Sequence, residues 1–179
     1  TIGYYFNDDD DYGYNNIETF INCNEVNTKF NKEGTHIIAS KSGVVCINND
    51  NISVENYKVI DKVDATTGHV RFDGIINIRG NVSDSCSVEA VRIDIGGSVG
   101  KARLRSIGEI RVSQGLNGSV VQCGSSLRAN HIIDTQAIIG EHILVEEYVI
   151  NSNISCGSTF KIFSKNGYFS GGEIQAGSL

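Results

Sequence analysis

The chain has 179 residues and a formal net charge of −6, and it contains no proline, methionine or tryptophan. Residues 1–64 account for the whole net charge, because acidic and basic side chains balance in residues 65–179. This lack of a basic excess argues against nucleic-acid binding, and no apolar run approaches the ~20 residues of a membrane span. The absence of proline favours laddered strands, since proline lacks the N–H that a central strand must donate. The missing methionine indicates a fragment or a processed form.

An acidic, asparagine-rich stretch occupies residues 7–16. Within it, Asp8, Asp10 and Gly13 approach the spacing of a calcium-binding EF-hand loop. That loop needs a glutamate at its last position, where this chain has Thr19. We therefore interpret the stretch as a solvated acidic loop and predict no metal site.

The residues that follow are predicted to form short strands. Residues 35–40, 44–47 and 51–60 have the composition of β segments and are separated by glycine and asparagine. We expect residues 1–63 to be a small N-terminal β-rich cap or lead-in. Such a cap would cover the first coil of a repeat array, whose exposed edge would otherwise invite aggregation.

A repeat begins near residue 74. Pairs of apolar residues separated by one position recur at steps of 16 or 17 residues. These pairs are Ile76/Ile78, Ile93/Ile95, Ile110/Val112, Leu127/Ala129, Ile143/Val145 and Phe160/Ile162. A further apolar residue follows most pairs by four positions, at Val82, Val99, Leu116, Ile133 and Val149. A second set consists of Val88/Ala90, Leu104/Ser106, Val121/Cys123 and Ile154/Cys156, with Gly108, Gly124, Gly140 and Gly157 near the ends of its strands.

The repeat predicts the fold. Residues at i and i+2 lie on one face of a strand, so each pair marks a short strand with one buried face. Such a strand cannot bury its face alone, whereas stacked coils can. An amphipathic helix would need a period of 3.6, and a sandwich would need longer strands. We predict an all-β, single-stranded parallel β-solenoid over residues 64–179, with coils of about 16–17 residues.

The cysteines fit neither a zinc site nor a disulfide framework. Their number is odd, they are 23 to 40 residues apart, and no two are arranged as CxxC. We expect free thiols that act as small apolar filler in a reducing cytoplasm. The five residues are Cys23, Cys46, Cys86, Cys123 and Cys156.

Residues 64–80, DATTGHVRFDGIINIRG, resemble the flagellar assembly protein A family at the start of its solenoid. The matching positions are Asp64, Thr67, Gly68, Val70, Phe72, Gly74, Ile76, Ile78 and Gly80. The resemblance extends over roughly residues 30–179 and includes the closing run GYFSGGEIQAG. It implies a right-handed β-helix in a cytoplasmic bacterial protein linked to flagellum assembly or placement. The family brings no catalytic motif, so the resemblance supplies no catalytic, cofactor-binding or metal-binding residue.

Enzymes built on related folds have features that this chain lacks. Hexapeptide acyltransferases use a histidine base but need a strict period of six, which steps of 16 and 17 break. Pectate-lyase-like enzymes build a cleft from long inserted loops, and no coil here has room for one. We expect His131 and His142 to lie on solvated coil faces, and we regard a catalytic role for them as the weaker interpretation.

Basic residues cluster in the middle of the repeat, and those at 101, 103 and 105 alternate so that they share one outward face. The candidate partner-docking strip consists of Lys101, Arg103, Arg105 and Arg111. The simpler interpretation is a salt-bridged solenoid face, because Glu89 is expected one coil from Arg105 and Asp94 one coil from Arg111. The alternative is that the strip docks an acidic partner.

These observations together predict a non-enzymatic structural or docking scaffold without a cofactor. Its partners would be proteins, in the flagellar or polar-organising machinery that the resemblance implies. Two alternatives stay open: a carbohydrate-active β-helix enzyme and a self-polymerising solenoid scaffold, since self-association is compatible with stacked coils.

Overall fold

A computed structural model describes residues 27–41, 43–48 and 51–178. In these ranges the chain forms strands and no helix, as the period-two pattern predicts. They belong to two compact units, one ending at Asn56 and one starting at Tyr57. The strands are β1 (Thr28–Phe30), β2 (Ile37–Ala39), β3 (Val44–Asn48), β4 (Asn51–Glu55), β5 (Tyr57–Ile60), β6 (His69–Ile78), β7 (Ser87–Ile95), β8 (Arg103–Ser106), β9 (Ile110–Asn117), β10 (Val120–Cys123), β11 (Leu127–Ile133), β12 (Gln136–Ile139), β13 (Ile143–Ile162) and β14 (Tyr168–Ser178).

The first unit contains two small antiparallel sheets, so the prediction of a β-rich N-terminal segment is confirmed. Strands β1 and β2 form one sheet, and β3 and β4 form the other. The Asn27 amide joins them by donating a hydrogen bond to the Val54 carbonyl at 2.6 Å. The acidic stretch 7–16, with its candidate calcium ligands, lies outside the described residues.

The second unit is a parallel array of about seven stacked coils, which confirms the predicted β-solenoid. Wall A consists of the first halves of β6 and β7, followed by β8, β10, β12, residues 153–156 of β13 and residues 173–176 of β14. Wall B contains β5, the second halves of β6 and β7, and the first parts of β9, β11 and β13. Wall C contains the later parts of β9 and β11, the segment of β13 around residue 149 and residues 168–170 of β14. The parallel ladder starts at Tyr57, ahead of residue 64, where the sequence placed the first coil.

The apolar pairs point inward and form one core, in the predicted register. Ile76, Ile93, Ile110, Leu127 and Ile143 stack in one column of wall B, and each has 0% of its surface exposed. Burying such a side chain stabilises the fold by roughly 1.5–3 kcal/mol. Because every side chain of the column packs against the neighbouring coil, each coil is stabilised mainly by its neighbours and not by contacts within itself.

One column of wall C differs from the prediction. Ile132, not Ile133, pairs with Leu116 and Val149, and it is fully buried, whereas Ile133 is half-buried. The pairing register shifts just after Ala129, where this coil turns from wall B into wall C with one residue fewer than its neighbours. The shorter corner explains the step of 16 residues in the repeat.

A glycine column lies where wall A ends. A Cβ at Gly140 would meet the carbonyl oxygen of Gly124, and a Cβ at Gly157 would meet that of Gly140. Only glycine allows this close approach between coils. Gly108 also lies near the end of its strand, but it is one residue past this column, because Gly124 lies against the carbonyl of Ile107 and Ile107 thus occupies the equivalent position.

Three thiols are free and buried: Cys86, Cys123 and Cys156. Cys123 and Cys156 share a column with Ile139 between them, so two coils separate their sulfur atoms, as expected. Burial raises the pKa of both thiols. Cys23 and the side chain of Cys46 are outside the described part of the chain. Over the ranges given above, no helix is long and apolar enough to cross a membrane.

Candidate docking groove

The basic strip is held by β8 and the turn before it. Leu104 is fully buried in wall A, so the flanking Arg103 and Arg105 project outward and are exposed. The turn is fixed by Asp84, whose carboxylate accepts a hydrogen bond from the backbone N–H of Lys101 at 2.7 Å. Lys101, Arg103 and Arg105 therefore share one outward surface, as the sequence predicted.

This surface is concave. The outward residues of β7, Ser87, Glu89 and Val91, are half-buried, whereas the outward residues of the strands on either side are exposed. A cavity of about 700 Å³ opens over Ser87 and is bounded by His69 and the three cations of the strip. Strand β7 thus forms the floor between the long side chains of β6 and β8.

A second cavity, of about 560 Å³, continues along β7 in the direction of Val91. It shares Glu89 and Arg105 with the first, and it is bounded by Arg71 on one side and Ile107 on the other. We call the two cavities together the wall-A groove. It is open to solvent along its length, so it is a surface for contact and not an enclosed pocket.

Three cations of the strip, Lys101, Arg103 and Arg105, have few ionic contacts with the residues that the structure describes. Glu89 pairs in register with Arg105, as predicted, yet its carboxylate lies 3.8 Å from Arg71 on the other side. Among the described residues, no ion pair within 4.0 Å joins a carboxylate to Lys101, Arg103 or Arg105. Within the described ranges, the salt-bridged interpretation therefore has one long ion pair here, and no carboxylate pairs with the other three cations.

Arg111 lies apart from the other three. It belongs to β9 in wall B, where it pairs in register with Asp94, as predicted. Its ionic partner is Glu109, whose two carboxylate oxygens accept hydrogen bonds from Nε and Nη2 at 2.7 Å each. These bonds raise the pKa of the Arg111 guanidinium above its ordinary value. The structure thus brings together three of the four predicted strip residues, and Arg111 is engaged elsewhere.

Two histidines have surroundings that the sequence did not reveal. His69 lines the wall-A groove, and its Nδ1 is 2.8 Å from the Ser87 hydroxyl, within hydrogen-bonding distance. His131 is half-buried rather than solvated, and its ring stacks on Tyr148 with centroids 5.1 Å apart. Tyr148 stacks in turn on Tyr168 at 5.4 Å, which makes an aromatic ladder on wall C. The 17-residue step from His131 to Tyr148 is the signal that could have predicted this contact.

The part of the chain that the structure describes contains no cluster of three or more histidine, cysteine, aspartate or glutamate residues arranged to hold a metal ion. Within the groove, the acidic side chain of Glu89 is 43% exposed. The guanidinium and ammonium groups around the groove can bind negatively charged groups.

Comparison with family models gives a match to the flagellar assembly protein A beta solenoid domain over residues 55–179. The chain belongs to this family. The matched range covers every wall of the flagellar assembly protein A solenoid and the whole wall-A groove, and it begins two residues before β5. No curated protein and no solved structure matches the chain.

Proposed function

We propose that this flagellar assembly protein A solenoid is a non-enzymatic bacterial scaffold that works in the cytoplasm and docks an acidic protein partner on wall A during flagellum assembly or placement. The observation that carries the proposal is the cluster of Lys101, Arg103 and Arg105 around the groove, none of which forms an ion pair within 4.0 Å with a carboxylate of the described residues. Family membership supplies the flagellar context. The buried free thiols support a reducing compartment.

The charge arrangement favours a partner over a purely structural role. Arg103 and Arg105 point from the same strand about 7 Å apart, a like-charge arrangement that costs the free fold a little. An acidic partner removes that repulsion and gains charge-assisted hydrogen bonds, which guanidinium groups form in bidentate geometry with carboxylates. Cations around an open groove mainly accelerate association, by drawing an acidic surface toward them.

The open groove also supports a non-enzymatic role. Catalytic acids and bases are usually held in enclosed sites from which water is excluded. Glu89, the carboxylate at the groove floor, keeps 43% of its side-chain surface in contact with solvent. This exposed carboxylate can instead reduce the net positive charge of a contact surface.

The proposal is tested by charge reversal in cells. In a flagellated bacterium that encodes this chain, Arg103→Glu/Arg105→Glu replaces the native copy, and flagella are counted and located by electron microscopy. We expect missing or misplaced flagella, with protein level and melting temperature close to those of the wild type, because exposed substitutions shift stability by about ±0.5 kcal/mol.

The matched control is Arg128→Glu/Lys165→Glu, which makes the same change of net charge at exposed positions outside the groove. This control should leave flagella normal. Normally placed flagella in the Arg103→Glu/Arg105→Glu strain, at normal protein level, would contradict the proposal.

A further inference from the structure

Ile107 is an exposed apolar side chain at one end of the wall-A groove. Its exposed fraction, 77%, is the highest among the large apolar side chains that the structure describes. On one side it borders the glycine column, so Gly124 in the next coil offers no side chain to cover it. On the other side the groove floor ends at half-buried Val91. Ile107 and Val91 thus form a small apolar platform at the end of the groove.

Positive charge is concentrated away from Ile107. Lys101 and Arg103 line the first cavity, and Arg71 and Arg105 flank Glu89 where the two cavities meet. Ile107 and Val91 line the second cavity. An acidic group is therefore attracted toward the first cavity, whereas an apolar group finds its contact at Ile107 in the second.

The outward residues of this strand and corner follow a period of two. Arg103, Arg105 and Ile107 succeed one another at alternate positions, with Leu104 and Ser106 buried between them. Successive outward positions are about 7 Å apart, so the distance from Arg103 to Ile107 is roughly 13 Å. An extended peptide has the same repeat, and it can present a side chain to each of these three positions.

We propose that the wall-A groove binds an extended peptide segment of the partner with two acidic residues and one large apolar residue at alternate positions. The carboxylates lie against Arg103 and Arg105, and the apolar side chain packs on Ile107 and Val91. This inference rests on the proposed docking function and adds the sequence pattern of the docked segment.

The pattern makes two contributions to binding. Each carboxylate gains charge-assisted hydrogen bonds from an arginine, and this part weakens as salt increases. The apolar side chain removes part of the exposed surface of Ile107 from water, and this part is insensitive to salt. Covering about half of a leucine side chain corresponds to roughly tenfold in affinity.

The test uses the purified chain and labelled peptides, with binding measured by fluorescence anisotropy at low and at moderate salt. The probes contain Asp-Ser-Asp-Ser-Leu, Asp-Ser-Asp-Ser-Ser or Asp-Asp-Ser-Ser-Leu, each between flexible glycine ends. The first has the proposed pattern, the second lacks the apolar residue, and the third has the composition of the first with the alternation broken. We expect the first peptide to bind about tenfold more tightly than either of the others.

Two variants locate the contacts. Ile107→Ser should abolish the advantage of the leucine peptide over the serine peptide, while Arg103→Glu/Arg105→Glu should weaken binding of both at least about tenfold. Ile138→Ser is the matched control, because Ile138 is 64% exposed on wall A and lines neither cavity of the groove. It should behave as the wild type does.

The outcomes separate the two proposals. Equal binding of the leucine and serine peptides, with dependence on Arg103 and Arg105 preserved, would overturn the sequence pattern and leave the docking function standing. If Arg103→Glu/Arg105→Glu leaves the affinity for the peptides unchanged, wall A is not the docking surface. Displacement of all peptides by inorganic phosphate at similar concentrations would identify a small-anion site and would also overturn the peptide inference.

Discussion

Ile110 offers the most direct test of the stacking register. It lies at the middle of the wall-B column, with Ile93 on one side and Leu127 on the other, and it has 0% of its surface exposed. Substituting it by valine, alanine and aspartate removes progressively more of its apolar contact, and the last change also introduces a charge. Each substitution acts on two coil interfaces at once, because both neighbours pack on this side chain.

The expected losses follow from burial. Ile110→Val should lower the free energy of unfolding by about 0.5–1.5 kcal/mol, and Ile110→Ala by about 2–5 kcal/mol. Ile110→Asp adds the cost of an unpaired charge in an apolar core, which is several kcal/mol more. Domains of this size have a total stability of about 5–15 kcal/mol, so the aspartate variant should be largely unfolded.

Urea unfolding followed by circular dichroism measures the series, with Arg128→Asp as the control. Arg128 is exposed on the same wall in the adjacent coil, so its substitution should change stability by no more than about 0.5 kcal/mol. If Ile110→Asp and Arg128→Asp unfold at the same urea concentration as the wild type, the inward and outward assignment of wall B is wrong.

The remaining predictions concern thiols and pH. All five cysteines should react with a thiol reagent after denaturation without reductant, and three or fewer reactive equivalents would refute this. In the native protein, the three buried thiols should react slowly. Hydrogen bonds from Lys62 and Thr66 lower the pKa of Asp64 well below its ordinary value. The stability that this carboxylate contributes is present above its ordinary pKa and is lost as pH falls toward the lower folded value. In Asp64→Asn, the free energy of unfolding should therefore depend less on pH between the ordinary and the folded pKa of Asp64. If this dependence is the same as in the wild type, the hydrogen bonds to Asp64 do not contribute to stability.

The repeat made the fold predictable because the same inward positions recur in every coil. The wall-B column from Ile76 to Ile143 follows directly from alternation at a fixed step. Corners were harder to place. Loss of one residue after Ala129 moves Ile132 into the core position expected for Ile133, and local sequence alone does not show which residue a turn omits.

The candidate site was predictable in part. Alternation places Arg103 and Arg105 outward, and register pairs Glu89 with Arg105. Which acid actually pairs with which base depends on side-chain conformation, which the repeat does not encode. Ile107 was missed because the neighbouring Gly108 matched the glycine spacing more obviously.

Coil-by-coil stacking makes the length of the solenoid independent of the wall-A groove. The wall-A groove is confined to strands β6 to β8 and β10, and the coils after it repeat the same columns. Removing residues 127–142, which line neither cavity of the groove, would delete one 16-residue repeat and bring Ile143 onto Ile110, an exchange of one apolar neighbour for another. The C-terminal coils would then move by a single interstrand spacing of about 4.8 Å. The length of the solenoid can thus change in fixed increments while the residues that line the groove stay the same.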